Sequence, residues 1–353
     1  MKRILVTGAG GSAGINFIES LRLAGEKIYV VGADINMWHL ALPSVDRRYL
    51  IPYYNHPSYI DKINSLIQKE HIEMVHAQPD VEVEVLSENR ERIAANVLTT
   101  SRETIRTCRD KAITNIVLAK NNVPVPRSFL IEKIGDLPDM VKILKDESEV
   151  VWVRAVKGAG SKAALPVKTV RQIREWIHYW RATKQLESKD FMIAEYLPGR
   201  EFAFQSLWKG GQLLTSQARE RLEYVFGNLS PSGQSSSPSV ARTVHRSDVN
   251  KIATQAVLAI DRKATGIFCV DLKENKDGVP CVTEINAGRF FTTSYFFAKS
   301  GSNMPWYYVK MVLGEKLPNM KQYNAIPENW YWIRLMDGGP ILIKGNRWNC
   351  RKP

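Results

Sequence analysis

A short apolar strand at residues 3–7 runs straight into Gly8-Ala9-Gly10-Gly11-Ser12-Ala13-Gly14, and a helical pattern follows from Ile15 to Leu23. A second strand, Tyr29 to Ala33, ends at Asp34, and His71 to Ala77 reads as a later strand before Pro79. Strands that alternate with helices indicate a parallel α/β sheet. This Rossmann-like first unit is expected to end near residue 95. Strand, glycine turn, helix and Asp34 also read as a dinucleotide fingerprint. A short-chain dehydrogenase would add Tyr-x-x-x-Lys, and Tyr295 with Lys299 has that spacing, but far too late in the chain. The loop joins a strand end to a helix start, where free N–H groups favour an anion. The expected anion is a substrate carboxylate and not a nicotinamide cofactor.

Further along, Asn121-Asn122-Val123-Pro124-Val125-Pro126 breaks a helical stretch that carries Asp110 and Lys111. Short strands follow at Ser128–Ile131, Val150–Arg154 and Leu165–Lys168, with Lys157-Gly158-Ala159-Gly160-Ser161-Lys162 between the last two. Ile173, Trp176, Ile177 and Trp180 share one helix face, the spacing of a core stripe. From Phe191 strands dominate: Phe191–Tyr196, Glu201–Trp208, Gln212–Glu220, Gly266–Leu272 and Cys281–Ile285. A helix over Ser247–Ala264 separates the two groups of strands. Asn228 to Ser239, dense in Ser, Pro and Gly, reads as a mobile loop.

A chain of 353 residues has room for two or three packed domains, and 24% charged residues with 44% hydrophobic ones is ordinary for a soluble globular protein. No apolar run reaches the roughly 20 residues that cross a bilayer, and no signal peptide is legible, so the cytoplasm is the expected location. Cys108, Cys269, Cys281 and Cys350 are scattered without a C-x-x-C pair and read as free thiols. The net charge of +13 is spread along the chain, apart from a short basic tail from Lys344 to Lys352. Anionic small-molecule ligands account for it better than nucleic acid.

Three features carry chemistry. Asp271 ends one strand, and Glu284 and Asn286, two residues apart, share a face of the next. Two carboxylates and an amide oxygen suit Mg²⁺, a hard cation that bridges nucleotide phosphates. Lys111, Arg154 and Lys157 form a cationic set around the loop with Gly158, Gly160 and Ser161, whose small residues let backbone N–H groups approach phosphate. It is not a P-loop, since G-x-x-x-x-G-K-[ST] is absent. Third, Glu195-Tyr196-Leu197 is an extended segment able to offer backbone groups to an adenine edge, with Glu201 six residues beyond Glu195 in reach of ribose hydroxyls.

In this order the three features resemble the ATP-grasp family over roughly residues 100–336, most closely its carbamoyl-phosphate synthase large-subunit-like branch. Arg109-Asp110-Lys111 before Val123-Pro124-Val125-Pro126 looks like the family's opening, and Val151-Trp152-Val153-Arg154 like the strand whose terminal cation contacts ATP. The resemblance implies ATP with Mg²⁺ (or Mn²⁺) as cofactors. Lys111, Arg154, Lys157, Gly158, Gly160, Ser161, Glu195, Tyr196, Leu197 and Glu201 would hold the nucleotide. Asp271, Glu284 and Asn286 would hold the metal, and Arg289 phosphate or acyl phosphate; Lys111, Arg154 and Arg289 would act in the chemistry. Ala194 replaces a glutamate common at the adenine position, and Gly288 adds one residue to the usual E-x-N-P-R.

The implied architecture is a Rossmann-like parallel α/β (pre-ATP-grasp) domain over residues 1–95, then a two-lobed ATP-grasp domain of mixed α/β and α+β class. Its small lobe would span 96–190 and its C-terminal lobe 191–353. The implied activity is an ADP-forming ligase joining small-molecule carboxylate and amine substrates. A kinase-like phosphotransferase and a non-catalytic nucleotide-binding protein are the alternatives, and a homodimer is compatible with all three.

Overall fold

The computed structural model describes residues 1–353 except 99, 146–147, 159–162, 236, 336–338 and 345–353. The first unit runs β1 (Lys2–Thr7), α1 (Ser12–Arg22), β2 (Ile28–Asp34), β3 (Arg47–Leu50), α2 (Tyr59–Glu70), β4 (Met74–Ala77) and α3 (Asp80–Glu88). Its strands pair in parallel in the order β3-β2-β1-β4. Ile4, Leu5 and Val6 of β1 are fully buried, as a strand covered on both faces requires. β4 starts later than its sequence suggests, because His71 takes the left-handed conformation (φ 50°) that closes α2. Gly14 has no room for a side chain, since a Cβ there would lie 2.4 Å from the Gly8 carbonyl oxygen. That close approach seats α1 directly on the turn.

One buried acid in this unit makes a testable contribution. Glu82 on α3 lies against Tyr59 and Thr7, and its Oε2 makes no hydrogen bond among the described residues. Burial pushes its pKa up to about 7 from the ordinary 4.5, while Thr7 and Tyr59 oppose the rise. Between those values the folded chain keeps a proton that the unfolded chain releases. Stability therefore falls as pH rises through the window and stays reduced above it. Glu82→Gln should raise stability at pH 8 by about 1–3 kcal/mol and leave it nearly unchanged at pH 4. Equal melting shifts at the two pH values would contradict this.

The second group is α4 (Arg102–Arg109), α5 (Lys111–Lys120), β5 (Ser128–Leu130), α6 (Leu137–Leu144), β6 (Val151–Ala155), β7 (Leu165–Val167), α7 (Val170–Lys184) and β8 (Phe191–Glu195). Ser101 and Asp110 cap α4 and α5 by accepting from the Thr104 and Ile113 N–H groups. On α7, Ile173 and Ile177 are buried, and Trp176 and Trp180 pack half-buried against the same core. The strands form an antiparallel sheet ordered β5-β8-β6-β7. β8 pairs here with β5 and β6, so the strand that the sequence assigns to the head of the C-terminal lobe lies in the small sheet.

The third group is β9 (Glu201–Lys209), β10 (Gln212–Tyr224), β11 (Pro238–Val244), α8 (Ser247–Ile260), β12 (Gly266–Glu274), β13 (Pro280–Ala287), α9 (Ser294–Lys299), α10 (Met304–Val312), β14 (Trp330–Leu335) and β15 (Gly339–Lys344). It forms a seven-stranded antiparallel sheet ordered β13-β12-β9-β10-β11-β14-β15. The last two strands were not legible in the sequence, although Trp332 is only 1% exposed. α8 ends at Ile260, earlier than its apolar pattern implies, because Asp261 leaves helical geometry (φ −147°) and binds the hydroxyls of Thr100 and Thr104.

Two apolar cores join the first sheet to the large one. One gathers Leu5, Tyr59 and Ile63 with Phe204, Val257 and Val270; the other gathers Phe17 and Ile18 with Phe290, Phe296 and Tyr308. The small sheet has a separate core with α6 and α7. It faces the large sheet across a cleft. Among the described residues no helix is long and apolar enough to cross a membrane. Cys108, Cys269 and Cys281 are buried free thiols, and Cys350 lies outside the described residues.

Candidate active site

Strand register assembles one end of the cleft. Asp271 on β12 sits directly opposite Glu284 on β13, and Asn286 is opposite Cys269 on the same face. Asp271, Glu284 and Asn286 all line the cleft, together with Lys111, Arg154 and Arg289. Each of the three oxygen donors faces a cation. Asp271 Oδ1 accepts from Arg221 Nη2 at 2.6 Å, and Asn286 Oδ1 from Arg289 Nη2 at 2.6 Å. Glu284 Oε2 accepts from Arg154 Nη2 at 3.1 Å, with Lys111 Nζ 3.7 Å from Oε1.

The electrostatics follow from that crowding. Burial opposes the charge of Glu284, but Lys111, Arg154 and Arg289 outweigh it and hold the carboxyl below the usual range. Burial raises the Asp271 carboxyl, against the pull of Arg221. It also lowers the Lys111 ammonium, against the attraction of Glu284. Among the described residues, no group of three or more His, Cys, Asp and Glu side chains is placed to hold a metal alone. The donors at hand are two carboxylates and an amide oxygen on one sheet face. That set fits Mg²⁺, which takes one or two carboxylates and completes its shell with water and phosphate oxygen.

The same cleft is also lined by the apolar side chains of Pro126, Trp152, Ala164, Met192, Ala194, Leu197 and Leu272. It is shaped by the small sheet on one side and β12 on the other. The Glu195 carboxylate is engaged with Arg127, accepting from its backbone N at 3.0 Å and from Nε at 3.1 Å. Tyr196 lies beside Trp152, ring centroids 6.5 Å apart, with Lys273 over its ring at 5.7 Å. Glu201 accepts from Lys273 Nζ at 2.6 Å, Gln234 Nε2 at 2.5 Å and the Tyr224 hydroxyl. Burial works against its charge, but Lys273 and Tyr224 hold its carboxyl below the usual range.

The small-residue loop meets the cleft only in part. Lys111 Nζ donates to the Gly158 carbonyl at 2.8 Å, and Gly158 takes a left-handed φ of 115°. Lys157 is exposed, 3.9 Å from Asp110, and does not line the cleft. Gly160 and Ser161 lie outside the described residues. At the N-terminal turn, the Gly10 N–H is bonded to Asp34 Oδ2 at 3.0 Å, and a Cβ at Gly10 would collide with His39. Close packing accounts for Gly8, Gly10 and Gly14, whereas a Cβ at Gly11 would meet only the Gly8 carbonyl oxygen, at 3.5 Å.

Sequence reasoning missed Arg221, Tyr224, Gln234 and Lys273. Lys273 was within reach, being two residues from Asp271 on one strand face. Arg221 carried no signal, since only the pairing of β10 with β9, and of β9 with β12, brings it to Asp271.

The chain is similar in structure to an L-amino acid ligase from Bacillus licheniformis (16% identity, TM-score 0.69, 94% of this chain and 79% of that one). It is also similar to the biotin carboxylase domain of the Hydrogenobacter thermophilus 2-oxoglutarate carboxylase, in complex with MgADP, ADP and bicarbonate (15%, 0.70, 94% and 73%). A third likeness is to an N5-carboxyaminoimidazole synthase from Aspergillus clavatus, in complex with ADP and 5-aminoimidazole ribonucleotide (16%, 0.67, 94% and 81%). No curated protein sequence gives a significant match. Residues 4–100 match the model of the PylC-like N-terminal domain, and residues 108–293 match that of the ATP-grasp domain. The chain belongs to the ATP-grasp family.

Proposed function

We propose that the chain is an ADP-forming ligase that uses MgATP to activate a carboxylate for attack by an amine. One observation carries the reading: Lys111, Arg154 and Arg289 converge with Asp271, Glu284 and Asn286 in one cleft that apolar side chains also line. The apolar lining suits a flat base, held by these side chains and by the backbone of residues 195–197. Glu201 retains acceptor capacity for a ribose hydroxyl beyond its three present donors. Lys157 is assigned no phosphate contact beyond its place at the start of the loop.

In the first step, a substrate carboxylate oxygen bonds to the γ-phosphorus and ADP leaves. In the second, the amine nitrogen bonds to the acyl carbon, inorganic phosphate leaves and the nitrogen loses a proton. No side-chain nucleophile is needed. Lys111 and Arg154 attract the phosphates into line, and Arg289 neutralises charge on the transferred group. Bound at Asp271, Glu284 and Asn286, Mg²⁺ (or Mn²⁺) would supply further charge neutralisation on phosphate oxygens. Two of the structural relatives are crystallised with ADP or MgADP, and the three carry ligase, carboxylase and synthase names, which supports the class of reaction.

The test is an ADP-release screen over carboxylate and amine pairs. Release that requires both members supports the ligase. Release with the carboxylate alone and a stable phosphorylated product would instead make the protein a phosphotransferase. Arg154 offers a narrower check, since its Nη1 and Nη2 are anchored on the Thr283 carbonyl and Glu284. Arg154→Ala should weaken ATP binding by about 1.5–3 kcal/mol, the scale of one charge-assisted hydrogen bond. Calorimetry returning wild-type affinity would exclude Arg154 from the phosphate site.

A further inference from the structure

Arg289 is gripped from the first domain. Its Nε and Nη2 both donate to the Asp80 carboxylate, the latter at 3.1 Å, across 209 residues of chain. The second Nη2 hydrogen goes to Asn286 Oδ1 at 2.6 Å. Nη1 has only a long contact, 3.5 Å, to the Phe290 carbonyl. A guanidinium has five N–H donors in a rigid fork. One edge is thus fully engaged and the other is left for an anion.

A second observation bears on the same residue. Gly288, the extra residue before Arg289, has φ 85°, and a Cβ there would lie 2.7 Å from Val83 Cγ1. Val83 and Asp80 lie on one turn of α3. The inserted glycine thus lets α3 press on the chain just where the arginine leaves β13, and Asp80 receives the guanidinium that results. Two parallel N–H···O bonds give a bidentate pair its geometric specificity.

We propose that Asp80 is a positioning residue, through which the first domain fixes Arg289 so that its Nη1 edge meets the anionic group in the cleft. The proposal rests on the nucleotide reading above. A competing physical effect has the opposite sign: Asp80 adds a negative charge beside the arginine, and removing it would favour an incoming anion. Positioning should win, because an untethered arginine loses its preorganisation and is free to turn toward Glu284.

The experiment uses the full chain, with MgADP titrated first and inorganic phosphate then titrated into the MgADP-loaded protein. Asp80→Ala should weaken phosphate binding about tenfold while MgADP affinity stays within about twofold. Asp80→Glu, which keeps the charge, should restore part of the loss. Arg289→Lys should lose phosphate binding to the same extent with or without Asp80→Ala, since both act on one contact. Tighter phosphate binding by Asp80→Ala would show a competing charge and overturn the proposal. Parallel loss of MgADP binding and thermal stability would reduce Asp80 to a domain contact and overturn it too. A wild-type protein that binds no MgADP would defeat the nucleotide reading and this inference with it.

Discussion

Glu284→Gln is expected to lower ADP release by about 10²–10³-fold while the protein stays folded, the scale of losing one preorganised electrostatic group. The side chain keeps its volume and its place opposite Asp271 in the β12–β13 pairing. What changes is charge. Glu284 is the carboxylate on which Lys111 and Arg154 converge, with Arg289 adding to the field. Without it these cations repel one another, and the proposed metal set keeps a single carboxylate, Asp271. Mg²⁺ dependence should therefore suffer more than nucleotide affinity, because the freed cations still attract phosphate. Mg²⁺ titration of ADP release, paired with ATP binding measured in chelator, separates the two effects. Wild-type release by well-folded Glu284→Gln would remove this residue from the metal set.

Much of the fold was legible because it is locally encoded. The apolar run Ile4-Leu5-Val6 and the glycine turn specify a buried parallel strand feeding a helix, and β1 pairs as that implies. Glu284 and Asn286 could be placed on one face by strand period alone. Asp271 could be placed opposite them only on the assumption that β12 and β13 are neighbours, which they are. What could not be read depends on contacts between distant segments. β3 is short, with Arg47 and Arg48 exposed, so it lacks the alternation that marks a strand. β14 and β15 complete a sheet whose first strand lies over a hundred residues earlier. The pairing of Arg289 with Asp80 is equally invisible, because no local pattern in α3 points across the chain.

Asp34 and Glu195 illustrate a different limit. Asp34 stands at the acidic position of the dinucleotide pattern, and Glu195 opens the segment whose backbone is expected to face adenine. In the structure each carboxylate serves its own backbone: Asp34 accepts from Gly10 and Asn36 N–H groups, and Glu195 holds Arg127. Residue type and spacing identify an acid near a site. Only the hydrogen-bond inventory shows whether its lone pairs are free for a ligand. Glu195 is thus engaged with Arg127, and Ala194 beside it carries only a methyl group.

Arg221→Met should produce the largest loss of stability among single changes in the cleft, about 3–5 kcal/mol, because it strands a buried carboxylate. Arg221 and Asp271 meet at 2.6 Å, with side chains only 12% and 16% exposed. Methionine keeps most of the arginine's length and its packing beside Phe291 and Tyr224, so the change tests charge and not volume. Arg219 stacks on Phe291 and Phe297 and attracts the Asp271 carboxylate more weakly than Arg221 does. Combining the change with Asp271→Asn removes the stranded charge, so the double variant should melt well above Arg221→Met alone. Activity should not return with stability, because Asp271 is one of two carboxylates in the proposed metal set. Melting curves for the two single variants and the double variant, run with ADP-release assays, give both readouts. If Arg221→Met melts with the wild type, the pair is structurally dispensable, and the desolvation cost assigned to Asp271 is wrong.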